Sequence, residues 1–174
     1  MSVSIEIRGL DKMLKKLDKS LVGEPLRTFF KRAAITVQGE ARTRAPVDTG
    51  HLRNSIVYEV DSGALPLFAK IGPLKGKEGS PLWYKARGME YGTGRVGQPG
   101  VAHRSGHWPP AMALDVWARR HGFASGGQVA RIIGRRGGLK AHKYLQKGLE
   151  ASLGQVKAHL SRLSDDIQKK WGKR

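Results

Sequence analysis

Gly92-Thr93-Gly94-Arg95-Val96-Gly97 has the glycine spacing of a dinucleotide-binding turn, in which a helix amino terminus receives a pyrophosphate. Gln98-Pro99-Gly100 stands where that helix should open, and no strand–helix–strand unit surrounds it, so a loop is the better reading. Gly72-Pro73-Leu74-Lys75-Gly76-Lys77 is friendly to phosphate in the same loose sense, yet no Gly-Lys-Ser/Thr triplet opens a helix there. His103 and His107 have the four-residue spacing of a helical zinc pair, but Ser105, Gly106 and Pro109 oppose a helix and no third ligand is evident. Metal-dependent cleavage of nucleic acid needs carboxylates converging on a cation. Asp48, Glu59, Asp61, Glu78, Glu90 and Asp115 are available, but no Glu-x-Lys or His-Asn-His spacing accompanies them. No serine has a plausible histidine partner, and there is no cysteine. The sequence thus assigns no catalytic residue, no metal site and no cofactor.

Binding chemistry is better represented. Arg119, Arg120, Arg131, Arg135, Arg136, Lys140 and Lys143 cluster in the third quarter, where they suit phosphate or an acidic protein partner. Arg42, Arg44 and Arg53 flank a corner and have the same two options, beside the plainer one of solvated charges. Trp83, Tyr84 and Tyr91 have the chemistry to stack on bases, although core packing accounts for them more simply.

The elements that must position these groups are legible from periodicity. Val3, Ile5 and Ile7 alternate as in a strand, and Leu10, Met13, Leu14, Leu17 and Leu21 follow as a short helix. Gly23 is expected to separate it from a longer helix, with Pro25 in the first turn and Leu26, Phe29, Phe30, Ala33, Ala34, Val37 and Ala41 as its stripe. Pro46, Asp48, Thr49 and Gly50 then form a structural corner. Proline stops the helix, Asp48 and Thr49 offer acceptors to free amides, and Gly50 permits a positive φ. Strands are expected at Ile56–Val60 and Leu67–Ile71, and Tyr84–Tyr91 reads as either helix or strand. Long loops are expected at about 72–82 and 92–110. A helix to about His121 takes Met112, Leu114, Val116 and Trp117 as apolar contacts, and Gln128–Gly134 forms another. A protruding final helix at about 143–172 carries a seam of Leu149, Leu153, Val156, Leu160, Leu163 and Ile167. So narrow a stripe suits a subunit interface.

The string Ala45-Pro46-Val47-Asp48-Thr49-Gly50-His51-Leu52-Arg53-Asn54-Ser55-Ile56, with Glu90-Tyr91-Gly92-Thr93-Gly94 downstream, resembles small neck or tail-completion proteins of long-tailed bacteriophages. Later segments, from Ala113 to Phe123, Ile132 to Gly137 and Lys143 to Glu150, extend the likeness. Such proteins are also described as head–tail joining or minor tail proteins. The resemblance implies a non-enzymatic virion protein, made in the host bacterial cytoplasm and placed in the neck or upper tail. It implies a homo-oligomeric ring of roughly six or twelve copies around passing double-stranded DNA. The neighbours would be the connector or head-closure protein and the tail-terminator or tail-tube protein.

Composition sets independent bounds. A chain of 174 residues is expected to form a single domain, 1–174, burying about two-thirds of its unfolded surface. Thirty-two Lys and Arg oppose fourteen Asp and Glu, a net charge of +18, which attracts polyanions. The absence of cysteine excludes disulfides, and no apolar run has the ~20 residues of a bilayer span. The fold class is α+β: a long amino-terminal helix packed on a small, mainly antiparallel sheet, with additional helices and a long carboxyl-terminal one. A sequence-nonspecific DNA-binding protein acting without a ring is the alternative function, and a metal-dependent nuclease a weaker one.

Overall fold

A 26-residue helix, α1 (Lys19–Arg44), organises the molecule because one side of it is continuously apolar. The computed structural model describes residues 2–6, 19–63, 65, 68–74, 80–96 and 107–171. Val22, Leu26, Phe29, Phe30, Ala33, Ala34, Val37 and Ala41 recur at helical spacing and are all buried. Gly23 does not separate two helices; α1 runs through both Gly23 and Pro25. Val22 and Leu26 on either side are buried, and tertiary packing outweighs the local penalty of glycine and proline. The short helix expected from Leu10 to Leu21 lies mostly outside the described residues.

The sheet covers another side of this stripe. Strands β1 (Val3–Glu6), β2 (Val57–Val60) and β3 (Phe68–Gly72) are antiparallel in the order β1-β3-β2. Val3 and Tyr58 both lie opposite Ile71, the fully buried residue of the central strand. Ala69 and Ile71, two apart, turn inward while Phe68 and Lys70 stay exposed, the period-two pattern of a half-buried sheet. Between α1 and β2 the corner behaves as expected at Gly50, whose φ is +78°. A short helix, α2 (His51–Ser55), follows, with the Asn54 amide donating to the Gly50 carbonyl at 2.9 Å. The expected cap is absent, because no side chain accepts from the α2 amides. Asp48 instead lies 3.9 Å from the exposed Arg120 guanidinium, a long pair of small energetic weight.

Helices α3 (Pro81–Tyr91), α4 (Ala111–Arg120), α5 (Gly126–Arg135) and α6 (Tyr144–Trp171) complete the described fold, with a 3₁₀ turn at Gly94–Val96. Tyr84–Tyr91 is therefore helical. The last helix does not protrude. It runs antiparallel along the whole of α1: Gly148 meets Ala41, the Thr36 hydroxyl lies 3.2 Å from His159 Nε2, Asp166 is 4.0 Å from Arg32, and Lys170 pairs with Glu24. Leu145 and Leu163 are buried, and Leu149, Val156 and Ile167 pack against the same core. The expected interface seam is thus largely internal, and only Leu153 and Leu160 of its six residues remain open to solvent. Burial, with Arg162 and Arg32 nearby, holds the His159 imidazole below its ordinary pKa. The Lys170 ammonium, hydrogen-bonded to it, does the same to the Glu24 carboxyl.

Candidate functional site

Glu90 shows how the carboxyl-terminal half is fastened. Helix α6 begins after Lys143, a residue with φ of +58°, and has no acid in its first turn, so its free amides lack a local acceptor. The buried Glu90 carboxylate supplies it from a distance, accepting from the Leu145 amide at 2.8 Å and the Gln146 amide at 3.0 Å. Its negative charge also complements the helix dipole. Three residues on, the Thr93 amide donates to the Leu139 carbonyl at 2.8 Å, and the Leu139 amide donates to the Thr93 hydroxyl at 3.0 Å. Gly94 must be glycine because a Cβ there would stand 2.0 Å from the Gly137 carbonyl oxygen. The glycines that imitate a dinucleotide turn are therefore a splice between two stretches of backbone. Tyr144 is fully buried beside this splice, and burial with the neighbouring Glu90 charge pushes its hydroxyl pKa up.

The basic cluster sits on what this splice holds. Ser125 caps α5 by accepting from the Gln128 amide at 3.3 Å, and Asp115 of α4 accepts from the Gly126 amide at 2.6 Å. Gly126 and Ala118 are buried between the two helices, and Trp117 stacks on His121 and Phe123 with centroids 4.0 Å and 5.7 Å away. Arg119, Arg120, Arg131, Arg135, Arg136 and Lys140 are all exposed, whereas Lys143 is half-buried. Two of the apolar contacts expected of α4 are corrected. Met112 is 87% and Val116 54% exposed, because they lie on the face opposite Ala118. Trp108 is 60% exposed, with its indole lying on Gly134, where a Cβ would come within 2.3 Å of the ring.

The other candidates are dispersed. Arg42 Nε donates to the Ile56 carbonyl at 3.0 Å and Arg44 pairs with Glu40, so both serve the corner. Trp83 is half-buried under the Arg87 guanidinium, 5.3 Å from its ring centroid, while Tyr84 is exposed. His103 and Glu78 lie outside the described residues. Among the described residues, no three His, Asp or Glu side chains are placed to share a metal ion. The depression beside the corner, 270 Å³ and lined by Thr49, His51, Asn54, Ser55 and Leu82, is shallow and has no acid in its wall.

Residues 8–92 match the family model described as "HK97-gp10_like: Bacteriophage HK97-gp10, putative tail-component". That stretch belongs to the HK97-gp10-like family. Comparison with curated proteins and with solved structures finds no match. The matched stretch is 85 of the 174 residues, and the family's description is that of a bacteriophage tail component. The HK97-gp10-like segment contains α1, the corner, β2, β3 and α3, and it reaches the Glu90 cap. Helices α4, α5 and α6 lie beyond it. Sixteen Lys and Arg against four acids follow residue 92, so most of the positive excess is carried outside the HK97-gp10-like segment. Sequence reasoning noticed Glu90-Tyr91-Gly92-Thr93 without its role. The usable signal was a long helix whose own amino terminus offers no capping residue.

Proposed function

We propose that the protein is a non-enzymatic neck or tail-completion subunit that assembles into a ring between the head connector and the tail tube. The tail-component match over residues 8–92 carries this reading. Leu153 and Leu160, seven apart on α6 and exposed in the monomer, supply an apolar row for a neighbouring copy. The net charge of +18 suits a particle through which DNA passes, since phosphate contacts need no sequence.

Native mass spectrometry tests the ring. The wild-type chain should give discrete high-order oligomers, and Leu153→Asp with Leu160→Asp should reduce them to monomers of unchanged helicity. Val156 is unsuitable for this purpose because it packs on the core. Wild-type protein that stays monomeric or dimeric until DNA is added would favour the ring-free DNA binder instead.

A further inference from the structure

Between residues 111 and 143 there are seven Lys and Arg and one acid, Asp115, and that acid is consumed by the Gly126 amide. Charge alone would suit any polyanion. The surface of α4 is not charge alone. Met112, Val116, Arg119 and Arg120 follow at spacings of four, three and one, so they share one helix face, and all four are exposed. Met112 is the most exposed large apolar side chain among the described residues. Trp108 presents a second apolar surface, on Gly134 next to Arg135.

We infer that the α4–α5 hairpin is a docking surface for an acidic protein that inserts an apolar anchor between carboxylates. Apolar side chains inside an arginine rim are the composition of a protein interface, in which Met, Trp and Arg are enriched. A duplex phosphate backbone gives Met112 and Val116 nothing to bury against, so nucleic acid leaves half of this face unused. A second copy of the chain would set cation against cation at this arginine rim, unlike at the apolar α6 row proposed for the ring. The surface lies beyond the segment that matches the tail-component family. It stands independently of the ring, which the α6 row would build.

Fluorescence anisotropy of the full chain tests this with three probes. One is a labelled helical peptide with leucines at four-residue spacing among glutamates, one its leucine-to-serine counterpart, and one a 30-base-pair DNA duplex. The leucine–glutamate peptide should bind at least about tenfold more tightly than its serine counterpart, since burying one large apolar side chain is worth that factor. Met112→Ser with Val116→Ser should abolish that advantage while leaving the residual salt-sensitive binding intact. Arg119→Glu with Arg120→Glu should weaken both peptides. Far-ultraviolet circular dichroism and the urea midpoint establish that the variants stay folded, which their exposure leads one to expect. Equal binding of all three probes, or no effect of the two serine substitutions, overturns the proposal in favour of a nucleic-acid face. Absence of peptide binding overturns it too. Neither result touches the oligomer distribution that tests the ring.

Discussion

At the residue scale the decisive group is Glu90. One carboxylate holds two amides of a helix more than fifty residues away in sequence, inside the fold. Removing the acceptor leaves the Leu145 amide buried without a partner and the part-buried Gln146 amide short of one, and an unsatisfied buried group costs about 1–3 kcal/mol. Glu90→Ala should therefore lower the unfolding free energy by at least about 2 kcal/mol. Glu90→Gln, which keeps one oxygen but loses the charge, should lose about half as much. Urea denaturation followed by circular dichroism checks both values. A variant with wild-type stability would mean that the α6 amides find another acceptor. By contrast, Asp48→Ala should cost well under 1 kcal/mol, since its partner across 3.9 Å is an exposed arginine.

At the element scale the pairing of α1 with α6 holds the two halves of the chain together. One tight contact in it is at Gly148, where a Cβ would come 2.7 Å from the backbone of Ala41. Gly154, in the same helix, has nothing within 4 Å of its would-be Cβ. The two glycines thus predict opposite outcomes for one substitution. Gly148→Ala should destabilise by about 1–3 kcal/mol, the cost of overpacking a tight contact. Gly154→Ala should stabilise by about 0.5–1 kcal/mol through helix propensity alone. Thermal midpoints of the two variants, measured side by side, check the sign as well as the size. If both move upward, the helices are not pressed together at Gly148.

At the scale of the whole molecule, charge governs association. Copies carrying +18 repel one another, and that repulsion is screened over about 8 Å at physiological salt. The proposed ring should therefore be favoured by added salt, the larger oligomers gaining population between about 50 and 300 mM sodium chloride. Binding of the acidic peptide to the α4–α5 hairpin should weaken over the same range. Sedimentation velocity for the one and anisotropy for the other give trends of opposite sign. Oligomers that dissolve as salt rises would show that ion pairs, not the Leu153 and Leu160 row, hold the copies together.

The elements themselves were legible in the sequence because their signal is local. Apolar spacing marked α1 and α6, alternation marked β1, and Pro46 with Gly50 marked the corner at its observed place. The α+β class followed from the same patterns. What periodicity cannot encode is which neighbour covers a stripe. The seam of α6 looked like a subunit interface because one narrow apolar row fits another helix in the same chain as well as a helix in another chain. The structure lays most of it on α1 and leaves Leu153 and Leu160 outside. Met112 and Val116 looked like core for the same reason, and the packing of Ala118 and Gly126 turned them outward. Asp48 looked like a cap, whereas the carboxylate that caps a long helix is Glu90, distant along the chain. Hydrogen-bond partners and helix faces depend on contacts between remote segments, so only the tertiary structure decides them.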